Sequence, residues 1–336
     1  MNISFIVPTY NNSEQLKNCI NSILNLDGLK EFEIIVIDDF SKNEEINYIE
    51  NYIENIENKK IKIIKNEKNY GPAYSRNKAV KSANFECLFF LDSDTEILKN
   101  GLNIFYKKIK KFDVVMGIYD IDPINKGFFP KYKAILDYHY LFKKFDYPHS
   151  TFHSACAGIR KELFLKIGGF NEKIKWKQDF ENEELGDRLL MNNCKLYICP
   201  EIIVKHNFPV FPNIISIYFR RVASWIEFYL KEKKTFKMTG TTNLFAALGC
   251  LLIPLTIFFY FCNLFTNNYI ILFSIISFIS HVLIFFKFYK LLIIKNKINF
   301  FVYFIIHFFI CTLISIASFY GFLKFFINKV RKNLSG

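Results

Sequence analysis

Up to about residue 205, short apolar runs alternate with polar stretches of helical spacing. The runs are ISFIV (3–7), FEIIVID (32–38), IKIIK (61–65), ECLFFLD (86–92) and FDVVMG (112–117). Each is continuous rather than alternating, the pattern of a strand covered on both faces. Between them, 13–26, 43–56 and 71–83 space their apolar residues as helices do. Strands alternating with helices predict an α/β domain built on a Rossmann-like open sheet. In such sheets ligands sit beyond the carboxyl ends of the strands. That rule selects Pro8, Thr9 and Tyr10 after the first run, Asp38 and Asp39 after the second, and Asp92 and Asp94 after the fourth.

From about residue 243 the pattern changes. Residues 243–265, 269–288 and 299–323 are three apolar stretches, none with a central charge. Each is long enough to cross about 30 Å of hydrocarbon as a helix. Between the halves, FPVFPNIISIYFRRVASWIEFYLKEKK (208–234) mixes helically spaced apolar residues with basic and aromatic ones. That composition suits a helix lying in a membrane interface. The expected layout is therefore a domain at 1–207, an interfacial helix and linker at 208–236, and a membrane region at 243–326.

Charge gives the second half an orientation. The basic segment KEKKTFK (231–237) precedes the first span, and Lys287, Lys290, Lys295 and Lys297 cluster between the second and third. NLFTNN, between the first two, is uncharged. Lys-rich loops stay on the cytoplasmic side, so the soluble domain is expected at the cytoplasmic face of an inner membrane that the chain crosses several times. Three crossings leave the basic tail NKVRKNLSG on the wrong side, a conflict that an irregular third span would remove. The opening MNISFIVPTYNN lacks a basic start followed by a long apolar core, which agrees with that placement.

The formal net charge of +13 admits an anionic membrane surface or phosphorylated ligands. No basic arm with interleaved aromatics occurs, so nucleic acid is not an expected partner. The eight cysteines form no CxxC pair and no zinc-like quartet, and read as small buried residues in a reducing compartment.

Against that basic background, WKQDFENEELGDRLL (176–190) packs Asp179, Glu181, Glu183, Glu184 and Asp187 into nine positions. Like charges this close repel, so the cluster is either a solvated helix start or a place where a carboxylate has a task. The strand-end acids suggest which. Asp92 and Asp94, spaced i and i+2 after a buried run, can share a divalent ion with a diphosphate. In VIDDFS a carboxylate can accept from a base or ribose, or simply cap the next helix. In NYGPAYSRNKAV, Arg76 follows a Gly71-Pro72 turn and can pair with phosphate or with a strand-end aspartate.

PTYNN, VIDDFS, GPAYSRNKA, LDSDT, AGIRKELFLKIGGFNE and FENEELGDRLL together resemble the successive motifs of the inverting family 2 glycosyltransferases, which have the GT-A fold. CPEIIVKHNF and RRVASW extend the resemblance toward membrane-attached members with C-terminal spans. The resemblance implies a nucleotide pocket lined by Pro8, Thr9, Tyr10 and Asp39, with Arg76 and Asp92 on the donor and Asp94 holding Mg2+ or Mn2+ on its diphosphate. His206 matches a histidine near that metal. Arg221 and Trp225 match a membrane-proximal motif that closes over the donor, and Gly168 and Gly169 precede the acceptor loop. The implied donor is a nucleotide-sugar, UDP-sugars being favoured and GDP-sugars admitted, and the acceptor is lipid-linked or membrane-presented.

One position departs from the family pattern. Inverting transfer needs a base for the acceptor hydroxyl, usually the Asp of a Glu-Asp pair. Aligned on ELGDRL, that pair falls on Glu181 and Asn182, and an amide is no base near neutral pH. Three explanations stay open: Glu181 or Asp179 replaces it, the acceptor is an already ionised phosphate, or the protein is catalytically weak. The competing function is a non-catalytic, membrane-tethered subunit that binds a sugar-nucleotide or glycan. A nucleotidyltransferase is excluded, because VPTYNNSEQ is nothing like the glycine- and arginine-rich loop that reaction needs. Glu183, Glu184 and Asp187 read as first-turn charges that favour the helix dipole.

Overall fold

Continuous apolar runs become strands with both faces covered. In the computed structural model, which describes residues 2–56, 60–142, 151–174, 180–231, 244–266 and 269–334, all seven residues of β1 (Ile3–Thr9) are buried. The chain continues through α1 (Ser13–Leu24), β2 (Phe32–Asp38), α2 (Asn43–Asn55), β3 (Ile61–Lys65), α3 (Pro72–Lys81), β4 (Cys87–Leu91) and β5 (Thr95–Ile97). Then follow α4 (Gly101–Lys108), β6 (Val114–Tyr119), α5 (Phe128–Phe142), β7 (Cys156–Arg160), α6 (Lys161–Lys166), α7 (Glu181–Met191) and β8 (Leu196–His206). The C-terminal helices are α8 (Asn213–Lys231), α9 (Leu244–Asn263), α10 (Ile270–Ile284), α11 (Phe286–Asn296) and α12 (Phe300–Leu334).

The packing divides the chain into two compact units. One holds the described residues up to 125 and those within 140–174 and 180–208; the other holds 126–139 and those from 209 onward. Residues 126–139 thus group with the C-terminal helices.

The first unit is built on one mixed sheet of order β3-β2-β1-β4-β7-β6-β8-β5. The first four strands are parallel, with β1 between β2 and β4. β7 then inserts antiparallel to both β4 and β6, and β8 runs parallel to β6. The core beneath it gathers Phe5, Leu16, Ile20, Val36, Phe89 and Phe105. Burying each such side chain contributes about 1.5–3 kcal/mol. Phe105 of α4 stands edge-on to Phe89 with ring centroids 5.0 Å apart. It crosses β7 at Gly158, where a Cβ would come within 2.1 Å of its ring.

The second unit is helical. α9 matches the first expected span, and Leu244–Asn263 is long and apolar enough to cross a membrane. The second expected span, 269–288, does not form one helix. It breaks at Phe285, giving α10 only 15 residues, or about 22 Å at 1.5 Å per residue. The Phe285 ring turns toward Gly249 of α9, where a Cβ would lie 2.5 Å from it. α11, a single 3-10 turn and α12 follow as the second stretch long and apolar enough to cross, Phe286–Arg331. α12 runs on well past the expected end at 323. α8 lies along α12: Ala223 fills the notch at Gly321, and Lys324 Nζ reaches Glu227 Oε2 at 2.9 Å.

Candidate functional site

The loops after β1, β2 and β4 are sewn together by side chains. Thr9 Oγ1 donates to Asn12 Oδ1 at 2.5 Å, and Asn12 Nδ2 donates to Ser93 Oγ at 2.7 Å. Asn11 accepts from the Lys42 amide on its side chain while its own amide donates to Ser41 Oγ. Two non-glycine residues here have positive φ, Asn11 at 52° and Phe40 at 69°. For a bulky residue like Phe40 this conformation is uncommon, and its ring stays exposed beside the strand ends. Pro8 and Thr9 are buried; Tyr10 is exposed.

Asp39 is buried and already engaged. Its Oδ1 accepts from Asn66 Nδ2 at 2.8 Å and from the Tyr70 amide at 2.9 Å, and its Oδ2 accepts from the Gly71 amide at 2.7 Å. It therefore shapes the turn that starts α3. Gly71, at φ 91°, supplies the conformation that turn requires. Pro72 opens the helix at its first position, where a missing amide hydrogen costs nothing.

That turn aims Arg76. Its side chain is almost wholly buried, with Nη2 2.7 Å from Asp92 Oδ1 and Nη1 3.6 Å from Glu181 Oε1. Of the two partners the sequence leaves open, the guanidinium takes the aspartate. It also lies over the Phe170 ring, 5.3 Å from its centroid.

Asp94 meets His206 because of strand pairing. In the antiparallel β5–β8 ladder Thr95 faces His206, and the Asn207 amide donates to the Asp94 carbonyl at 2.9 Å. His206 Nε2 then lies 3.5 Å from Asp94 Oδ1. Loss of surrounding water pushes the Asp94 carboxyl above its usual value; the His206 imidazole pulls it down and the Asp92 carboxylate adds to the rise. Asp92, Asp94 and His206 each present one ligand atom within 4.8 Å of the others. Two carboxylates and one imidazole fit a hard divalent ion. His206 Nδ1 is buried without a hydrogen-bond partner.

The acidic cluster divides. Asp179 lies outside the described residues. Glu181 opens α7 with its side chain 13% exposed. Asn182 Oδ1 is buried with no hydrogen bond. Glu183 and Glu184 stand in the first turn of α7 as expected, whereas Asp187 lies a turn further on; Glu183 and Asp187 are both buried, on the face roughly opposite Leu185 and Leu189. Glu184 takes two bonds of 2.7 Å from Arg188 of the next turn.

Arg188 has a further task that sequence reasoning missed. Its Nη1 donates to the Ile167 carbonyl and its Nη2 to the Gly169 carbonyl, both at 2.6 Å. From the other side Asn77 donates to the Phe170 carbonyl at 2.8 Å and accepts from the Phe170 amide at 2.9 Å. The Gly168-Gly169 turn is thus clamped, with φ of 88° and 63°. A Cβ on Gly169 would approach Asn77 Oδ1 to 2.6 Å, whereas on Gly168 nothing lies closer than 3.9 Å. Gly169→Ala is expected to lose about 2–3 kcal/mol, from the left-handed backbone and the broken Asn77 bonds. Gly168→Ala should lose about 1–2 kcal/mol, from the backbone alone. Thermal unfolding of the two variants side by side checks the difference; equal losses would remove Asn77 from the explanation.

Arg221 and Trp225 lie on α8, in the other compact unit. Trp225 is buried against Tyr229, ring centroids 4.1 Å apart.

Comparison with known proteins identifies the fold and the family. A mannosyltransferase from Pyrobaculum calidifontis, solved with GDP-Man and Mn2+, superposes with a TM-score of 0.59 at 15% identity, covering 95% of this chain and 86% of that one. The mixed sheet is thus of GT-A type. A GalNAc(5)-diNAcBac-PP-undecaprenol beta-1,3-glucosyltransferase of Campylobacter jejuni is 35% identical over 106 residues, 32% of this chain and 34% of the relative. An uncharacterized glycosyltransferase of Methanocaldococcus jannaschii is 31% identical over 246 residues, 70% of this chain and 81% of that protein. Residues 4–168 match the family described as Glycosyl transferase family 2. With that family match and a relative 31% identical over 81% of its length, the chain is a glycosyltransferase and belongs to glycosyl transferase family 2.

Proposed function

We propose that the enzyme transfers a sugar, with inversion, from a nucleotide-diphospho-sugar to a lipid-linked or membrane-presented acceptor at the cytoplasmic face of an inner membrane. The observation that carries the reading is the meeting of Asp92, Asp94 and His206 beside the Arg76–Glu181 pair at the carboxyl edge of the sheet. The domain layout 1–207, 208–236 and 243–326 belongs to the same proposal. So does the membrane setting, supported by two helices of sufficient length and apolarity.

The nucleotide lies against Pro8, Thr9, Tyr10 and the Asp39 turn, and Phe40 offers an exposed ring beside it. Asp94 and His206 would hold Mg2+ or Mn2+, and Asp92 would lie near the sugar and ribose. When bound, such an ion offsets the charge of the departing diphosphate. Glu181 accepts the proton of the acceptor hydroxyl as that oxygen attacks the anomeric carbon on the face opposite the diphosphate. Arg76 fixes both Asp92 and Glu181, so donor and base keep one geometry. Arg221 and Trp225 are assigned to donor binding by family resemblance. A UDP-sugar is the favoured donor; a GDP-sugar remains open, as the Pyrobaculum relative binds GDP-Man.

The buried, unpartnered Asn182 Oδ1 favours a second reading, a membrane-tethered binding subunit that lost the family base. Nucleotide diphosphate release by the detergent-purified full chain separates the two. A panel of UDP-, GDP- and dTDP-sugars is offered with Mn2+ or Mg2+, alone and with polyprenyl-linked acceptors. Turnover of one donor identifies the enzyme and its sugar. Donor binding without turnover under every acceptor condition supports the subunit instead.

A further inference from the structure

The C-terminal unit holds a second cluster of ligating side chains, remote in sequence from the catalytic motifs and unused by the reaction above. His281 of α10 and His307 and Cys311 of α12 each place one ligand atom within 4.8 Å of the others, and all are buried. Cys250 of α9 joins them, its Sγ 3.5 Å from Cys311 Sγ, and Cys311 Sγ is 3.5 Å from His307 Nε2. We propose that these four side chains form a tetrahedral Cys2His2 site for Zn2+ that pins α9, α10 and α12 together.

The two 3.5 Å spacings, Cys250 to Cys311 and Cys311 to His307, are those the ion imposes. With Zn–S near 2.3 Å and Zn–N near 2.0–2.1 Å, neighbouring ligand atoms of a tetrahedron lie about 3.5–3.8 Å apart. Both imidazoles are also prepared in the way metal-bound histidines are, with the second ring nitrogen anchored. His281 Nδ1 donates to the Gly249 carbonyl at 2.8 Å, and His307 Nδ1 is held by the Tyr132 hydroxyl at 2.7 Å. This leaves Nε2 of His307 facing Cys311, and Nε2 of His281 facing the Tyr289 hydroxyl at 2.6 Å. Zinc takes the place of that hydroxyl proton as the partner of His281.

Charge and softness select the ion. Binding releases the two thiol protons, and two thiolates with two neutral imidazoles make a neutral complex with Zn2+. Neutrality removes the desolvation penalty that a bare ion or ion pair meets in an apolar interior. Thiolate and imidazole favour zinc over Mg2+ or Mn2+, the hard ions that suit the carboxylates of the catalytic site. The two sites would therefore fill independently. His307 and Cys311 are spaced one turn apart on α12, and Cys250 and His281 come from two other helices.

Zinc content of the full chain, purified in detergent with zinc in the growth medium and washed with EDTA, provides the first test. A single zinc ion per chain is expected to survive the wash. Replacement by Co2+ should give the visible bands of tetrahedral cobalt and an ultraviolet thiolate-to-cobalt transition. Cys250→Ser and Cys311→Ser should each weaken retention by at least about tenfold. Cys311→His should keep the metal with about half the thiolate transition. Asp94→Asn should change nothing, which separates this site from the catalytic one. A wild-type protein that holds no zinc and shows no thiolate-bound cobalt overturns the proposal whether or not the variants fold. So does zinc that persists undiminished in both serine variants. The cluster would then be a hydrogen-bonded packing element between helices.

Discussion

Asp94→Asn is expected to reduce nucleotide diphosphate release by about 10³-fold or more, and EDTA should bring the wild type to the same level. Stabilising a departing diphosphate by a divalent ion contributes several kcal/mol, at about 1.4 kcal/mol per decade of rate. The amide keeps the size of the carboxylate but loses the charge that would hold the ion. The fold should tolerate it, because the strand contact at this residue is the backbone bond from the Asn207 amide to the Asp94 carbonyl. His206→Ala should cost less, since one neutral ligand is removed and both carboxylates remain. Acid should act in the same direction as EDTA. The Asp94 carboxyl titrates above its usual value, so proton and metal compete for one oxygen, and the metal concentration needed should rise as pH falls through that value. Retention of more than about a tenth of the activity by Asp94→Asn, together with indifference to EDTA, would remove the metal from the mechanism.

The strand runs and the edge they share were legible because a buried parallel strand must be apolar on both faces, and this constraint writes itself into the sequence. β1 to β4 and β6 lie within two residues of the expected runs. β7 escaped notice for a physical reason: Cys156, Ala157 and Gly158 are small and carry little strand signal, and at Gly158 Phe105 crosses too closely for any side chain. β5 is a three-residue strand that exists through its partner β8. The meeting of Asp94 with His206 was therefore available from family resemblance and not from periodicity. Asn77 and Arg188 look like ordinary polar helix residues until the Gly168-Gly169 turn is seen between them. The second apolar stretch misled because apolarity measures the solvent of a segment and not its straightness. The break at Phe285 sits at a close contact with Gly249, which composition does not encode.

Glu181→Gln is expected to slow transfer to a hydroxyl acceptor by about 10²–10⁴-fold, the usual contribution of a general base. Donor binding should change little, because Arg76 keeps its 2.7 Å contact with Asp92 when the weaker 3.6 Å contact with Glu181 is lost. The deficit should therefore appear in kcat more than in the donor KM. Asp179→Asn, measured in parallel, distinguishes the two carboxylates: whichever substitution lowers kcat by that factor identifies the base. Asn182→Asp adds a sharper comparison. It restores the family carboxylate where Oδ1 is now buried without a hydrogen bond, so it should lower stability in the wild-type background yet recover part of the rate in Glu181→Gln. If both Glu181→Gln and Asp179→Asn stay within about threefold of wild type while Asp94→Asn is inactive, no side chain is taking the proton. The acceptor then brings its own negative charge, as a lipid phosphate does, and a chain that carries an amide at position 182 would need no substitute for the family base.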